Sequence, residues 1–277
     1  MTVVLGLTAA VLYGLADFAG GFASRRAGAL TVLLWSYPVG AVLMAVMLPF
    51  FPGHVDARVV LFGVLGGIAG MLGVVVMYSL MTVAPINVIS PVTAVLSAMV
   101  PVIVGVSIGE RPHPTAWAGI VLGLVAVVLV SRTDESHPHG RIRPGLIVLA
   151  VIAGLGFGLY FVFLDQAGDD SGLWPLLISR IVSAVLIVPL AFARSAVAPV
   201  RDRTLRIVLL AGACDALANF FFLLAARSGL LSLASVLTSL YPATTVVLAM
   251  TLLREHASRV QRVGLALSAG AIVLITV

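Results

Sequence analysis

Long apolar runs alternate with short polar breaks along the whole chain. Ten of these runs are long enough to cross a hydrocarbon layer of about 30 Å, which takes about 20 residues of helix. A span inside lipid must satisfy its own backbone hydrogen bonds, and these runs lack the alternating polarity of barrel strands, so each is predicted to be a helix. The predicted helices are 3–22, 29–50, 59–81, 85–107, 115–132, 144–164, 173–193, 205–226, 229–252 and 259–277.

The second half of the chain repeats the pattern of the first. The stretch 85–130 recurs at 230–275, an offset of 145 residues, and Glu110 falls on Glu255. Shorter matches at offsets of 144 and 143 carry the repeat into the first two helices of each half. A repeat of this length predicts two halves of similar structure.

The odd number of helices in each half determines how the halves lie in the membrane. Five crossings place the second half upside down relative to the first, an arrangement that puts binding sites near the midplane. We therefore predict an all-α integral membrane fold with ten transmembrane helices as two inverted five-helix repeats. The predicted units are a first repeat at 1–133, a polar linker at 134–143 and a second repeat at 144–277.

The composition agrees with a membrane protein. Hydrophobic residues make up 61% of the 277 residues and charged residues only 10%, against about 25% charged residues in soluble domains. All 16 basic residues are arginines, and almost all lie in short loops, so the net charge of +5 does not indicate nucleic-acid binding. The single cysteine, Cys214, excludes an intramolecular disulfide.

The arginines also predict an orientation. Twelve of them lie in or beside the odd-numbered loops, three lie in or beside the even-numbered loops, and Arg180 lies within a helix. By the positive-inside rule the odd loops are cytoplasmic and both termini are extracytoplasmic. We expect a multi-pass protein of the plasma membrane, and the lysine-free, alanine- and arginine-rich composition suits a bacterial inner membrane.

Three ionisable residues lie inside predicted spans, where charges are costly and are therefore candidates for function. Asp215 lies near the midplane, and Arg180 lies close enough in depth to form an ion pair with it. The pair is either structural or a contact for substrate, and Asn219 shares a helix face with Asp215. Asp17 either faces a cavity, where it exchanges a proton for a cationic substrate, or forms a salt bridge with Arg25 or a neighbouring loop arginine.

Aromatic and hydroxyl side chains complete the candidate site. Aromatic rings beside an acid suit an organic cation, although rings in spans also pack against neighbours or lie at the membrane interface. Hydroxyls in the fourth and ninth helices either face substrate or bond to their own helix. The candidates are Tyr13, Tyr78, Tyr160, Tyr241, Ser90 and Ser235. We expect no catalytic residues, no metal and no cofactor.

The chain resembles the EamA family of the drug/metabolite transporter superfamily. The resemblance rests on the duplicated five-helix unit and on a short polar element after each fourth helix, Gly109-Glu110-Arg111-Pro112 and Arg254-Glu255-His256. Each glutamate is followed nine residues later by a glycine, Gly119 or Gly264, and Pro242 matches a proline common in the family's ninth helix.

The resemblance implies secondary transport of small metabolites. We expect a non-ATP transporter of small polar or cationic solutes such as amino acids or amines. It is expected to work by alternating access, with export favoured over import and with proton coupling as one option. No P-loop is present, so ATP is not the direct energy source. A channel or a non-transporting scaffold is the alternative, and an intramembrane enzyme is the least favoured. The protein is expected to be a monomer or a homodimer in the lipid bilayer.

Overall fold

The regular structure of the chain is helical throughout the part that the structure describes. A computed structural model describes residues 1–83, 86–131, 144–196, 200–252 and 258–276. The helices are α1 (Thr2–Ala27), α2 (Ala29–Met47), α3 (Ala57–Val83), α4 (Ile86–Ser107), α5 (Pro114–Val130), α6 (Pro144–Gln166), α7 (Trp174–Ala193), α8 (Asp202–Arg227), α9 (Leu231–Thr238), α10 (Tyr241–Leu252) and α11 (Arg259–Thr276).

Within the described ranges, eight helical stretches are long and apolar enough to cross a membrane. The two other predicted spans correspond to shorter apolar stretches, Thr93–Ser107 in α4 and Pro114–Val130, which is α5. The protein is therefore a multi-pass membrane protein, but the predicted number of ten spans is not confirmed.

The predicted ninth span, 229–252, corresponds to one apolar stretch, Leu231–Leu248, but the α-helix within it is interrupted. The α-helix ends at Thr238 and begins again at Tyr241. The break has a physical cause in Pro242, which has no backbone N–H and whose ring conflicts with the carbonyl four residues earlier, that of Thr238. In contrast, Pro38 and Pro189 lie inside unbroken helices.

The two halves pack on each other reciprocally. Helix α1 packs on α8 as α6 packs on α3, and α2 packs on α8 as α7 packs on α3. Helix α5 packs on α11, and α2 packs on α7. The first four contacts therefore form two equivalent pairs. The last two each join a helix to its equivalent in the other half. The opposite orientation of the two halves in the membrane stays a prediction.

Glycines permit close contacts between helices. A Cβ atom added at Gly158 of α6 would stand 2.6 Å from Cβ of Val100 in α4. A Cβ at Gly119 of α5 would stand 2.7 Å from Cγ1 of Ile275 in α11. Real Cβ atoms do not approach other atoms so closely, so larger residues at either position would push the helices apart. Small residues play this part in membrane helix pairs because they let the backbones touch.

Four connections meet at one end of the bundle, and we call them the loop layer: those between α2 and α3, α4 and α5, α6 and α7, and α8 and α9. The guanidinium of Arg227 donates to the carbonyls of Gly168 and Gly172 at 3.1 and 2.8 Å and to the Ser171 hydroxyl. His54 donates its N–H to the carbonyl of Asp170 at 2.9 Å. The loop layer therefore joins both halves through backbone groups.

Glu110 belongs to this layer and caps a helix of the opposite half. Its carboxylate accepts the backbone N–H groups of Leu231 and Ser232 at the start of α9. A carboxylate at a helix N-terminus satisfies donors that have no partner within the helix and complements the helix dipole. The equivalent Glu255 lies outside the described residues.

We expect Glu110→Gln to lower the free energy of unfolding by about 1–3 kcal/mol, because hydrogen bonds to a charged group contribute about that much. The measurement is chemical unfolding in detergent. The control is Asp169→Asn, which removes a carboxylate from an exposed position in the same layer and should change the free energy by less than about 0.5 kcal/mol. Equal effects of the two substitutions would contradict the capping role.

Candidate functional site

A cavity of about 840 Å³, including the part open to solvent, lies between the two halves. Eight helices line it, namely α1, α2, α3, α4, α6, α7, α8 and α10. All five tyrosines of the chain are among the lining residues. They are Tyr13, Tyr37, Tyr78, Tyr160 and Tyr241. The cavity is therefore polar at many points while remaining largely walled by rings and aliphatic groups.

Equivalent positions of the two halves line the cavity together. The pairs, each separated by 143 to 145 residues, are Tyr13 and Phe157, Asp17 and Phe161, Ser36 and Ser179, Tyr37 and Arg180, Gly70 and Asp215, and Val74 and Asn219. The backbone positions match, but the chemistry does not. In every pair that contains a charge, the equivalent residue is neutral, so the charges of the cavity are distributed asymmetrically between α1, α7 and α8.

Arg180 and Asp215 form an ion pair inside this cavity. Nη1 of Arg180 lies 2.5 Å from Oδ2 of Asp215, and Nη2 donates to the backbone carbonyl of Asp215 at 3.3 Å. The Arg180 side chain is only 7% exposed and that of Asp215 is 26% exposed. Because a lone charge is costly in a membrane interior, the two side chains stabilise each other as a neutral pair.

Asn219 connects this ion pair to the first half of the chain. Its amide nitrogen donates to the Asp215 carbonyl at 2.6 Å, and its amide oxygen accepts the hydroxyl of Tyr13. Asn219 is 2% exposed, so the link is shielded from water. A chain of polar contacts thus runs from α7 through α8 to α1.

Asp17 lies on the wall of the same cavity, one turn of α1 away from Tyr13. Among the described residues, no hydrogen bond or ion pair satisfies its carboxylate. Arg26 lies over the ring of Phe22 instead, with its guanidinium carbon 4.2 Å from the ring centroid, and neither Arg25 nor Arg26 forms an ion pair with Asp17. Of the two sequence-based readings of Asp17, the geometry agrees with the cavity-facing one.

The remaining candidates divide between the cavity and other places. Tyr78, Tyr160 and Tyr241 line the cavity, whereas Ser235 is fully buried elsewhere and donates its hydroxyl to the carbonyl of Leu231 at 2.7 Å. Ser235 thus takes the local alternative, because its own helix supplies an acceptor. The side chain of Ser90 lies outside the described residues.

Several lining residues were not among the candidates. Phe161, Ser179 and Ser183 all line the cavity. Phe161 occupies the position equivalent to Asp17, so the repeat itself was the signal that could have found it. Within the described ranges, no group of three or more histidine, cysteine, aspartate or glutamate side chains could hold a metal.

The fold and cavity define a multi-pass helical membrane protein built from two repeats around a central polar cavity. The model of the EamA-like transporter family matches residues 1–132 and again residues 145–277. The chain belongs to the EamA-like transporter family, whose members are transporters and not enzymes.

Solved structures share this fold, among them a crystal structure described as that of a protein. It matches with a TM-score of 0.81 at 18% sequence identity, and the match covers 99% of this chain and 96% of the other. No curated protein matches the chain. At this level of identity the structural likeness shows the fold alone.

The ion pair predicts non-additive stability in a double-mutant cycle. We expect Arg180→Met or Asp215→Leu alone to cost about 3–5 kcal/mol of unfolding free energy, because each leaves a buried charge unpaired. The double variant should cost less than the sum of the single losses. The free energies are measured by chemical unfolding in detergent.

A matched cycle combines Arg227→Met with Asp215→Leu. These residues lie twelve positions apart on α8, about 18 Å along the axis, so their losses should add. If the free-energy losses of Arg180→Met and Asp215→Leu also added, the two side chains would have no coupling energy and the ion pair would not stabilise the fold.

Proposed function

We propose that the protein is a secondary transporter that moves small polar or cationic metabolites across the membrane by alternating access, without ATP. Membership of the EamA-like transporter family supports the class of protein. The cavity supports the kind of substrate. It lies between two structurally equivalent halves, which is where transporters built from inverted repeats bind their substrates.

The observation that carries this proposal is the contrast between the two carboxylates of the cavity. Asp215 is paired with Arg180 at 2.5 Å, whereas Asp17 has no cationic partner among the described residues. Keeping an unpaired carboxylate charged inside the membrane is costly. A cationic solute or a proton can remove this cost, and exchange between the two at Asp17 would couple transport to a proton gradient.

The aromatic lining supports a cationic or partly apolar solute. The ring centroid of Tyr13 lies 6.4 Å from that of Tyr241 and 6.0 Å from that of Phe161. Asp17 is on the same helix as Tyr13 and one turn away. Aromatic faces attract organic cations, so the carboxylate and the rings together suit an ammonium group attached to a small hydrocarbon body.

The reciprocal packing supports alternating access. Because each half makes equivalent contacts with the other, exchanging their arrangements gives a second state with the cavity open to the opposite side. Opening the cavity through the loop layer requires the hydrogen bonds of Arg227 and Glu110 in that layer to break.

We further propose export across the cell membrane, with both termini extracytoplasmic. A monomer is sufficient for transport in this proposal, since both halves of one chain line the cavity.

We expect purified protein in proteoliposomes to drive saturable flux of amines or quaternary ammonium ions under an imposed pH gradient. Asp17→Asn should reduce this flux at least about tenfold, because it removes the group that binds the cation and exchanges the proton. Asp169→Asn, an exposed loop variant, should leave the flux unchanged.

Two outcomes would contradict the proposal in different ways. Undiminished flux through Asp17→Asn would remove this carboxylate from the site while leaving transport standing. Flux that does not saturate with solute concentration would instead indicate a channel.

A further inference from the structure

Six exposed arginines lie at the end of the bundle opposite the loop layer. Two of them lie in the last turn of α1, and four lie between the end of α7 and the second turn of α8. The same segments, 22–28 and 192–208, contain a single acidic residue, Asp202, whose side chain lies outside the described part. We call the six residues the arginine surface: Arg25, Arg26, Arg194, Arg201, Arg203 and Arg206.

The two parts of the arginine surface meet at one place in the fold. The hydroxyl of Thr31 near the start of α2 donates to the carbonyl of Ala196 after α7 at 2.8 Å. Ala23, Ala29 and Val200 belong to one buried apolar cluster. The arginines of α1 lie between Ala23 and Ala29 in sequence, and those of α8 follow Val200. Both groups of arginines therefore surround the same cluster.

The arginines of the loop layer differ from these six, because each of them has an acceptor in the protein. Arg58 donates to the carbonyl of Gln166 at 2.8 Å, and Arg111 donates to the carbonyl of Glu110 at 3.2 Å. Arg227 makes the contacts already described. In contrast, no described residue accepts a hydrogen bond from any guanidinium of the arginine surface. Within the described part, these donors are therefore left for a partner outside the chain.

Arg206 is presented to lipid and not to an aqueous loop. The apolar stretch of α8 that is long enough to span the membrane is Arg203–Arg227, so Arg206 lies about one turn inside it. Leu209 and Leu210 follow on the same helix face and are 38% and 56% exposed. An exposed apolar face of a span contacts lipid, and a long arginine side chain near the end of a span extends to the headgroups.

Arg26 is presented to lipid in a similar way on α1. Its guanidinium carbon lies 4.2 Å from the ring centroid of Phe22, which is one turn earlier and 40% exposed. The span that contains both residues ends at Ala27. The exposed ring therefore holds the guanidinium at the edge of the hydrocarbon layer, where a cation–π contact leaves its hydrogen-bond donors unused.

We propose that the arginine surface binds the phosphate groups of anionic phospholipids in the leaflet at this end of the bundle. A guanidinium matches a phosphate because its planar fork donates two hydrogen bonds to the oxygens. The acyl chains fit the apolar part of the surface, since Phe22, Leu209 and Leu210 are exposed beside the arginines. A soluble phosphate ester makes no such contact. The inference does not depend on the proposed function, because it concerns the outer surface and not the cavity.

The predicted orientation agrees with this partner. Both loops of the arginine surface are odd-numbered and therefore predicted to be cytoplasmic. Clusters of about four to eight basic residues next to a span on that side are typical of proteins that bind anionic lipids.

We expect the wild-type chain to bind dioleoyl phosphatidylglycerol about tenfold or more tightly than dioleoyl phosphatidylcholine. The two lipids have the same acyl chains, but only phosphatidylglycerol carries a net negative charge. Affinities are measured by native mass spectrometry on the full chain in a non-ionic detergent. Equal affinities for the two lipids would overturn the proposal.

The double variant Arg203→Gln/Arg206→Gln should lower the affinity for phosphatidylglycerol about tenfold or more. The matched control is Arg58→Gln/Arg111→Gln, in which Arg58 is the repeat equivalent of Arg203, 145 residues away. The control should change the affinity less than about twofold, because its arginines lie at the other end of the bundle. Equal losses in the two double variants would overturn the proposal, since binding would then follow the net charge of the protein.

A single substitution on the other helix tests whether the two parts act together. Arg26→Gln should lower the affinity for phosphatidylglycerol about fivefold. Unchanged affinity would overturn a joint surface. Both surface variants should unfold at the same denaturant concentration as the wild type, because their guanidinium groups have no acceptor within the described structure.

A last probe separates a lipid from a soluble phosphate ester. Glycerol 3-phosphate carries the headgroup phosphate without acyl chains, and a large molar excess of it should leave the bound phosphatidylglycerol in place. Displacement of the lipid would overturn the phospholipid as the occupant and assign the surface to a soluble ester instead.

Discussion

The cost of an unpaired charge in lipid is the constraint on which the organisation of this protein depends. A charge that lies deep within the spans is therefore either half of a pair or needs an external partner. Arg180 and Asp215 meet the constraint within the chain, at 2.5 Å, and Asn219 and Tyr13 extend their contacts to α1. Asp17 does not meet it within the described residues, and this difference gives the cavity its proposed chemistry.

Both halves of the repeat build the cavity, and the residues that differ between them give it its polarity. The two halves place the same helical positions on its wall, but Tyr37 stands where the other half has Arg180, and Gly70 stands where it has Asp215. The shared backbone supports the proposed alternating access, because exchanging the arrangements of the two halves gives a second state.

Much of this organisation could be predicted from the sequence, because hydropathy and the repeat reflect constraints that act locally. The helices and the repeat follow from apolar run lengths and residue offsets, and depth along the helices placed Arg180 within reach of Asp215 but left both alternatives for Asp17 open. The break before Pro242 could not be predicted, because a proline inside a span does not always interrupt the helix. Pro38 and Pro189 both lie inside unbroken helices.

Contacts between the halves were harder to foresee. Glu110 caps α9 of the opposite half, and no periodicity within its own segment indicates that partner. Ser235 is the opposite case. Its hydroxyl and its repeat partner suggested a place in the binding site, but the hydroxyl donates to the Leu231 carbonyl of its own helix.

Proton release on solute binding tests the role of Asp17 most directly. The wild-type protein in weakly buffered detergent solution is mixed with a quaternary ammonium ion, whose charge does not depend on pH, and the pH is followed with an indicator dye. The account predicts that binding releases a proton from the wild type and none from Asp17→Asn. Equal release from both proteins, or binding to the wild type without release, would contradict exchange at this carboxylate.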